Sequence, residues 1–171
     1  MKIDLGGGRI PRPGHVNVDL LPCADVVLNL EDVGRGVARL PFRDNTVDVV
    51  YSSHCFEHVD PYNGVLLEIA RVCRLGAKVE IRTPHPNSDM ACIAGHKHVL
   101  SEQQVRQWEE FAEDWWPNVK KMLKLREVVV VPAGGFAEVK QLFLQLSDEF
   151  IHRHFRNTAH ENRFHFEVVN R

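Results

Sequence analysis

Histidine is the side chain whose ordinary pKa lets it take up and release a proton near neutral pH, and the 171-residue chain holds ten of them. Five, His54, His58, His85, His96 and His98, fall where loops leave the ends of expected strands. A base placed there can strip the proton from an attacking nucleophile. His54 is the first choice for that role, with His58, His96 and His98 as further candidates to act or to position a substrate. The cluster offers a second chemistry as well. His96-Lys97-His98 sets two imidazoles on one side of an extended segment, and Asp89 or His85 could complete a divalent-metal site, although no ligand motif of fixed spacing accompanies them. Glu57 and His58 can equally serve only to cap and orient the start of the next helix. His152, His154 and His160 lie in the polar string HRHFRNTAHEN, where a solvated surface is the default expectation and a substrate lid the alternative.

A different chemistry is suggested at the N-terminus, where Ile3-Asp4-Leu5-Gly6-Gly7-Gly8 places an acid and three glycines at the end of a short apolar run. Glycine lets the backbone turn sharply and approach a ligand with no Cβ in the way. Fifteen positions after Asp4, Asn17-Val18-Asp19 ends a second apolar run. A carboxylate there can accept hydrogen bonds from both hydroxyls of a ribose, as in dinucleotide-binding βαβ units. A plain structural turn is the competing reading of the glycines.

The elements that must hold these residues alternate along the chain. Lys2 to Leu5, Val16 to Leu20, Asp25 to Leu28 and Val47 to Ser53 read as strands, apolar enough to be buried on both faces of a parallel sheet. Val65, Leu66, Ile69, Ala70 and Cys73 share a helical stripe, and Ala77 to Ile81 returns to strand character. Ser101 with Gln104 forms a capping box that opens a helix bearing Val105, Trp108, Phe111, Ala112 and Trp115, with Pro117 as its stop. The Trp115-Trp116 pair reads as core rather than as an aromatic platform. Leu125 to Val131 is a β-branched strand, Pro132 to Gly135 a turn, and Val139, Leu142, Phe143, Leu146 and Phe150 align on one helix. In the last strand Phe164, Phe166 and Val168 point one way while Arg163, His165 and Glu167 point the other. Strands and helices in this order predict an α/β three-layer sandwich with a mostly parallel sheet, which binds ligands beyond the carboxyl ends of its strands.

Composition narrows the classes. One domain is expected, with no internal repeat or linker at which to divide it. The formal net charge of -2 gives no pull toward nucleic acid or acidic lipid, and no apolar run is long enough to span a membrane. The opening MKIDLGGGR lacks the apolar core of a signal peptide, so a cytoplasmic location is expected. Cys23, Cys55, Cys73 and Cys92 form no CxxC pair and are expected as reduced, mostly buried thiols.

Three further blocks carry a resemblance. LPFRDNTVDVVYSSHCFEHV from Leu40 to Val59 is followed by LLEIARVCRLGAKVEIRTP from Leu66 to Pro84 and by HKHVLS from His96 to Ser101. In this order they resemble small class I (Rossmann-like) S-adenosylmethionine-dependent methyltransferases, of the short-looped type 11-like group. The likeness covers roughly residues 2–101 and departs from the family at Arg74-Leu75-Gly76-Ala77, where relatives carry R-P-G-G; Gly76 keeps the turn and Ala77 keeps a small residue. It implies S-adenosyl-L-methionine as cofactor, with Asp4, Gly6, Gly7 and Gly8 around its methionine part. Asp19 would then hold the ribose, Leu20 would pack on the adenine, Asn29 and Leu30 would line the other side of the base, and Ser53 and His54 would face the sulfonium and the acceptor.

The interval from Asp4 to Asp19 is shorter than the ~20 residues of dinucleotide folds, and Ile10-Pro11-Arg12-Pro13-Gly14 leaves no room for the usual first helix. NAD is thereby disfavoured, because its pyrophosphate rests on that helix's N-terminus. The resemblance thus implies a single methyltransferase domain over residues 1–171, with a cofactor half to about residue 84, a substrate side beyond it, a shortened first βα unit and an antiparallel terminal strand. Methyl transfer to an oxygen or nitrogen of a small-molecule or glycan-like acceptor is the expected activity. The acceptor pocket would come from Pro84 to Leu100 and the C-terminal third, or from a second subunit of a homo-oligomer. Two alternatives stand beside this: a methyltransferase-like binding or partner subunit without turnover, and a metal-dependent enzyme built on the histidine cluster.

Overall fold

The computed structural model describes residues 1–110, 123–134, 136–142 and 145–169, and the side chains of all of these except residues 107–110 and Val139. The strands are β1 (Lys2–Leu5), β2 (Val16–Asp19), β3 (Val26–Val27), β4 (Val47–Ser53), β5 (Cys73–Pro84), β6 (Leu123–Pro132) and β7 (Ala159–Val168). The described helices are α1 (Leu30–Gly34), α2 (Asn63–Val72), α3 (Glu102–Glu110), α4 (Phe136–Leu142) and α5 (Asp148–His154), with short 3-10 turns at Phe56–His58 and Asp89–Cys92.

The seven described strands form one sheet in the order β3-β2-β1-β4-β5-β7-β6. From β3 to β5 all neighbours run parallel, and β7 lies antiparallel between β5 and β6. The expected α/β class, mostly parallel sheet, shortened first βα unit and antiparallel terminal strand are therefore present. Strand order reverses between β1 and β4, which opens the crevice at their carboxyl ends where such sheets bind ligands.

Alternation along the strands decides which face forms the core. Ile3, Leu5, Val50, Val79, Ile81, Phe164 and Phe166 share one face and pack with Leu30 and Val33 of α1, Leu66 and Ile69 of α2 and Val105 of α3. The last strand behaves as its alternation predicts, with Phe164, Phe166 and Val168 buried. On the other face the loop that replaces the first helix supplies cover of its own. Arg12 lies 4.2 Å above the Tyr51 ring and pairs with Glu80 at 3.2 Å, while Arg82 reaches the same ring and the same carboxylate.

Several boundaries differ from the sequence pattern. β3 shrinks to two residues, with Val27 58% exposed, so it is not buried on both faces. α2 stops at Val72 because Cys73 already pairs with Val47 in the sheet. The single helix expected through Phe150 is two, because the Ser147 hydroxyl accepts the Phe150 N–H at 3.1 Å and starts α5 afresh. α1 was not visible as a periodic run; its signal is Asn29, whose side chain accepts the Glu31 N–H at 3.0 Å. The capping box at Ser101 and Gln104 forms reciprocally, at 2.9 and 3.1 Å. The Trp108, Phe111, Ala112, Trp115, Trp116, Pro117, Val139 and Phe143 expectations lie outside the described residues or side chains. Among the thiols, Cys73 is buried and Cys55 half-buried, but Cys23 and Cys92 are exposed, against the expectation that most would be buried. Cys23 lies on the loop after β2 and Cys92 ends the 3-10 turn Asp89–Cys92, neither of them in a strand.

α1 and α2 meet through glycines. A Cβ on Gly34 would stand 1.8 Å from the Pro61 carbonyl oxygen, and one on Gly64 2.2 Å from that of Gly34. Because the obstacle is backbone, Gly34→Ala should cost about 3 kcal/mol, the upper end for overpacking. A urea midpoint equal to that of the parent would show that the two helices do not need this close approach.

Candidate functional site

The glycine turn leaves β1 at the reversal point of the sheet. Gly6 and Gly8 both take left-handed backbone angles, with φ of +73° and +61°, a conformation costly for a residue with a Cβ. The turn is anchored on β2. The Gly6 N–H donates to the Val18 carbonyl at 2.8 Å, the Gly8 N–H to Asp19 Oδ2 at 2.9 Å, and the Asn17 amide to the Gly8 carbonyl at 3.0 Å. Asp19 Oδ1 accepts the Leu21 N–H at 2.9 Å, so the carboxylate is oriented before any ligand arrives, and each oxygen retains a lone pair. Leu20 beside it is 66% exposed, an apolar surface at the rim of the crevice.

Two expected contacts look different in three dimensions. Asp4 is 2% exposed and lies under the turn, where Oδ2 accepts the Arg12 N–H at 2.7 Å and Oδ1 has no hydrogen bond. Burial pushes its carboxyl pKa up, partly offset by that Arg12 N–H. Leu30 points into the core, 6% exposed, and Asn29 spends its side chain on the α1 cap. Any contact of Leu30 with a nucleoside must therefore pass through its main chain.

β4 delivers Ser53 and His54 to the same edge. His54 is a non-glycine residue at φ +52°, an uncommon conformation that clusters at functional sites. Its N–H donates to the Arg82 carbonyl at 3.0 Å, while Nδ1 stands 3.3 Å from Glu57 Oε1 and Nε2 3.0 Å from Glu161 Oε2. Contact with Glu57, and then with Glu161, outweighs partial burial and raises the imidazole pKa above its ordinary 6.5. Cys55 fills the space under Gly6 and is no nucleophile, since burial first and nearby carboxylates second push its thiol up to about 12.

The other histidines separate into two groups. His58 Nδ1 contacts the Gly95 carbonyl at 3.1 Å, and its ring meets that of His96 edge-on at 4.6 Å. His98 turns instead to Asp60, with Nε2 3.2 Å from Oδ1. Asp89 is engaged by Arg156 and Asn157, and His85 faces His152, so neither joins His96 and His98. His85 and His152 line a cleft of about 900 Å³ beyond the ends of β5, β7 and β6, together with Ser101, Arg106 and Asn162. None of His58, His96 and His98 lines it.

His152 corrects an expectation, being 7% exposed rather than on a solvated surface. Phe136 stacks on its ring with centroids 4.5 Å apart, a long-range contact with no local sequence signal. Burial lowers the pKa of both His85 and His152, the two rings also opposing each other's charge at His85. The Thr158 hydroxyl donates to the Phe155 carbonyl at 3.0 Å and so accepts from His152 Nδ1 at 3.3 Å, which leaves Nε2 as the ring's basic atom. Asn162, 1% exposed on the cleft wall, has no hydrogen bond at Oδ1.

Along one edge of the sheet, then, run a glycine turn with an oriented carboxylate, a paired histidine and a polar cleft. Residues 18–81 match a family model described as a methyltransferase domain. No curated protein matches the chain. Among solved structures it is similar to an S-adenosylmethionine-dependent methyltransferase from Archaeoglobus fulgidus, at TM-score 0.63 and 15% identity over 97% of this chain and 85% of that one. A geranyl diphosphate C-methyltransferase from Streptomyces coelicolor, solved with Mg2+, geranyl diphosphate and S-adenosyl-L-homocysteine, matches at 0.60 and 14% over 98% and 72%. A Haloferax volcanii methyltransferase solved with a methyltransferase activator matches at 0.58 and 16% over 99% and 82%. Among the described residues no helix is long and apolar enough to cross a membrane. With a methyltransferase-domain match over residues 18–81 inside the Rossmann-like fold of the S-adenosylmethionine-dependent methyltransferases, the resemblance carried by the sequence blocks holds in three dimensions.

Proposed function

We propose that this chain binds S-adenosylmethionine over β1 and β2 and transfers its methyl group to an oxygen or nitrogen of a small-molecule or glycan-like acceptor held in the cleft beyond β5. The observation that carries the reading is the glycine turn tied to Asp19, at the point where the parallel strands reverse their order. The crevice fits the cofactor: a Cβ on Gly8 would meet no atom within 4 Å, so the turn faces open space, and Leu20 offers an exposed apolar surface beside a carboxylate. Gly6, Gly7 and Gly8 would cradle the methionine part from above Asp4, Asp19 would accept from the ribose hydroxyls, and Leu20 would cover the adenine. The cofactor supplies an electrophilic methyl group.

Everything else falls to the chain. Ser53 and His54 stand between the turn and the cleft, because β4 lies between β1 and β5. The cleft, walled by His85, Arg106 and His152, orients the acceptor. His54 removes the acceptor's proton once it is neutral, and Glu57 and Glu161 stabilise the imidazolium that results. Most of the acceleration would come from alignment in a site shielded from water.

The test must separate the turn's backbone from its ligand. Gly6 is unsuitable, since a Cβ there would stand 2.3 Å from Cys55 Sγ. Gly8 and Gly14 both have left-handed φ and open space around a Cβ, so an alanine strains either one by a similar ~1 kcal/mol. Only Gly8 faces the crevice. Calorimetry should show S-adenosylhomocysteine affinity falling by roughly tenfold or more in Gly8→Ala, the equivalent of ~1.4 kcal/mol, and unchanged in Gly14→Ala. Equal affinities in both would mean that the cofactor does not pass over this turn.

A further inference from the structure

Glu57 stands one residue before His58, and the loop Gly95–His98 folds back against both. The Glu57 carbonyl accepts the N–H groups of Lys97 and His98, at 2.7 and 3.2 Å. This clamp brings together one carboxylate and two imidazoles: ligating atoms of Glu57, His58 and His96 all lie within 4.8 Å of one another. Buried atoms of Glu57 and His96 carry no hydrogen bond, and His58 has one ring nitrogen turned away from its backbone contact. Glu57 is 1% exposed, and apart from the 3.3 Å contact of Oε1 with His54 its carboxylate oxygens make no hydrogen bond. A buried carboxylate in that state is costly unless something pairs with it. The Nδ1 atom of His96 is buried and has no hydrogen bond either. His58 spends Nδ1 on the Gly95 carbonyl, and a backbone acceptor on one ring nitrogen fixes the tautomer that leaves Nε2 as a ligand.

We infer that Glu57, His58 and His96 form a binding site for a divalent first-row transition ion of the zinc class. Two imidazole nitrogens and a carboxylate oxygen suit zinc, cobalt or nickel; magnesium and calcium prefer all-oxygen sites. Ligands at ~2.0–2.1 Å from a tetrahedral ion stand about 3.4 Å apart, so the three side chains reach an ion by small rotations without backbone movement. His58 is exposed, which leaves the solvent side of the site open for further ligands. The set differs from the His96-His98 pairing expected from sequence, because His98 is turned to Asp60. It shares Glu57 with His54, so a bound ion would compete with that imidazole for the carboxylate; ion binding itself is measured with no cofactor present and does not rest on the methyl-donor reading.

The test uses untagged full-length protein freed of metal with a chelator. Cobalt should bind at one equivalent with the visible bands of a four- or five-coordinate ion, and zinc should displace it. His58→Asn and His96→Asn should each weaken binding by roughly 100-fold or more, since even partners of ligands are worth 10–100-fold, while His15→Asn should bind like the parent. A second measurement needs no variant: zinc should protect His58 and His96, and not His15, from acylation by diethyl pyrocarbonate, read by peptide mass spectrometry. The inference is overturned if the parent takes up no stoichiometric cobalt, if His58→Asn and His96→Asn bind as the parent does, or if zinc leaves both histidines as reactive as before.

Discussion

His54→Ala should lower methyl-transfer turnover by about 100-fold or more while leaving cofactor affinity nearly unchanged, the signature of a base used only in the chemical step. The pH dependence carries the sharper expectation. Glu57, opposed by burial and reinforced by Glu161, favours the charged imidazole, so the folded pKa lies above 6.5. Below that pKa His54 is a cation and cannot accept a proton; the neutral base grows in as pH rises through it. Turnover of the parent should therefore rise along a limb centred above pH 6.5. Glu161→Gln removes one of the two carboxylates and should move that limb to lower pH, and His54→Ala should abolish it. If His54→Ala turns over normally and His152→Ala does not, the proton goes to the neutral imidazole in the cleft. If neither matters, the acceptor is already a nucleophile at neutral pH and the chain works by positioning alone.

Asp19→Ala is expected to weaken binding of S-adenosylmethionine or S-adenosylhomocysteine by about 1–3 kcal/mol, the range for charge-assisted hydrogen bonds left unmade. Two losses combine. The ribose would lose its acceptor, and the Gly8 and Leu21 N–H groups would lose theirs, so the turn itself would loosen. Asp19→Asn separates them: an amide keeps one acceptor oxygen but sets its NH2 against one of those two donors. Its affinity should fall between parent and alanine variant, with the melting temperature of the cofactor-free protein lowered in both. Calorimetry that finds Asp19→Ala binding like the parent would remove Asp19 from the site.

What the sequence determined by itself was whatever rests on local pattern. Short apolar runs fixed four of the parallel strands to within a few residues, and alternation in Arg163 to Val168 assigned each side chain to its face. Both follow because strand periodicity is written residue by residue. Ser101 and Gln104 announced their helix for the same reason, since a capping box spans four positions. Asp19 and the glycines were legible because a turn and a strand end can be read from neighbours. Tertiary structure decided what depends on partners far along the chain. Glu161, more than a hundred residues from His54, adds to Glu57 in raising that imidazole's pKa, and no local spacing could show it. Phe136 and Thr158 bury and orient His152, which its polar neighbours in sequence disguise. The backbone of Glu57 draws His96 toward His58 and leaves His98 to Asp60; an i, i+2 pattern promised the opposite grouping because it assumed an isolated extended strand. Charge state, burial and ligand geometry are sums over contacts that only the folded chain supplies.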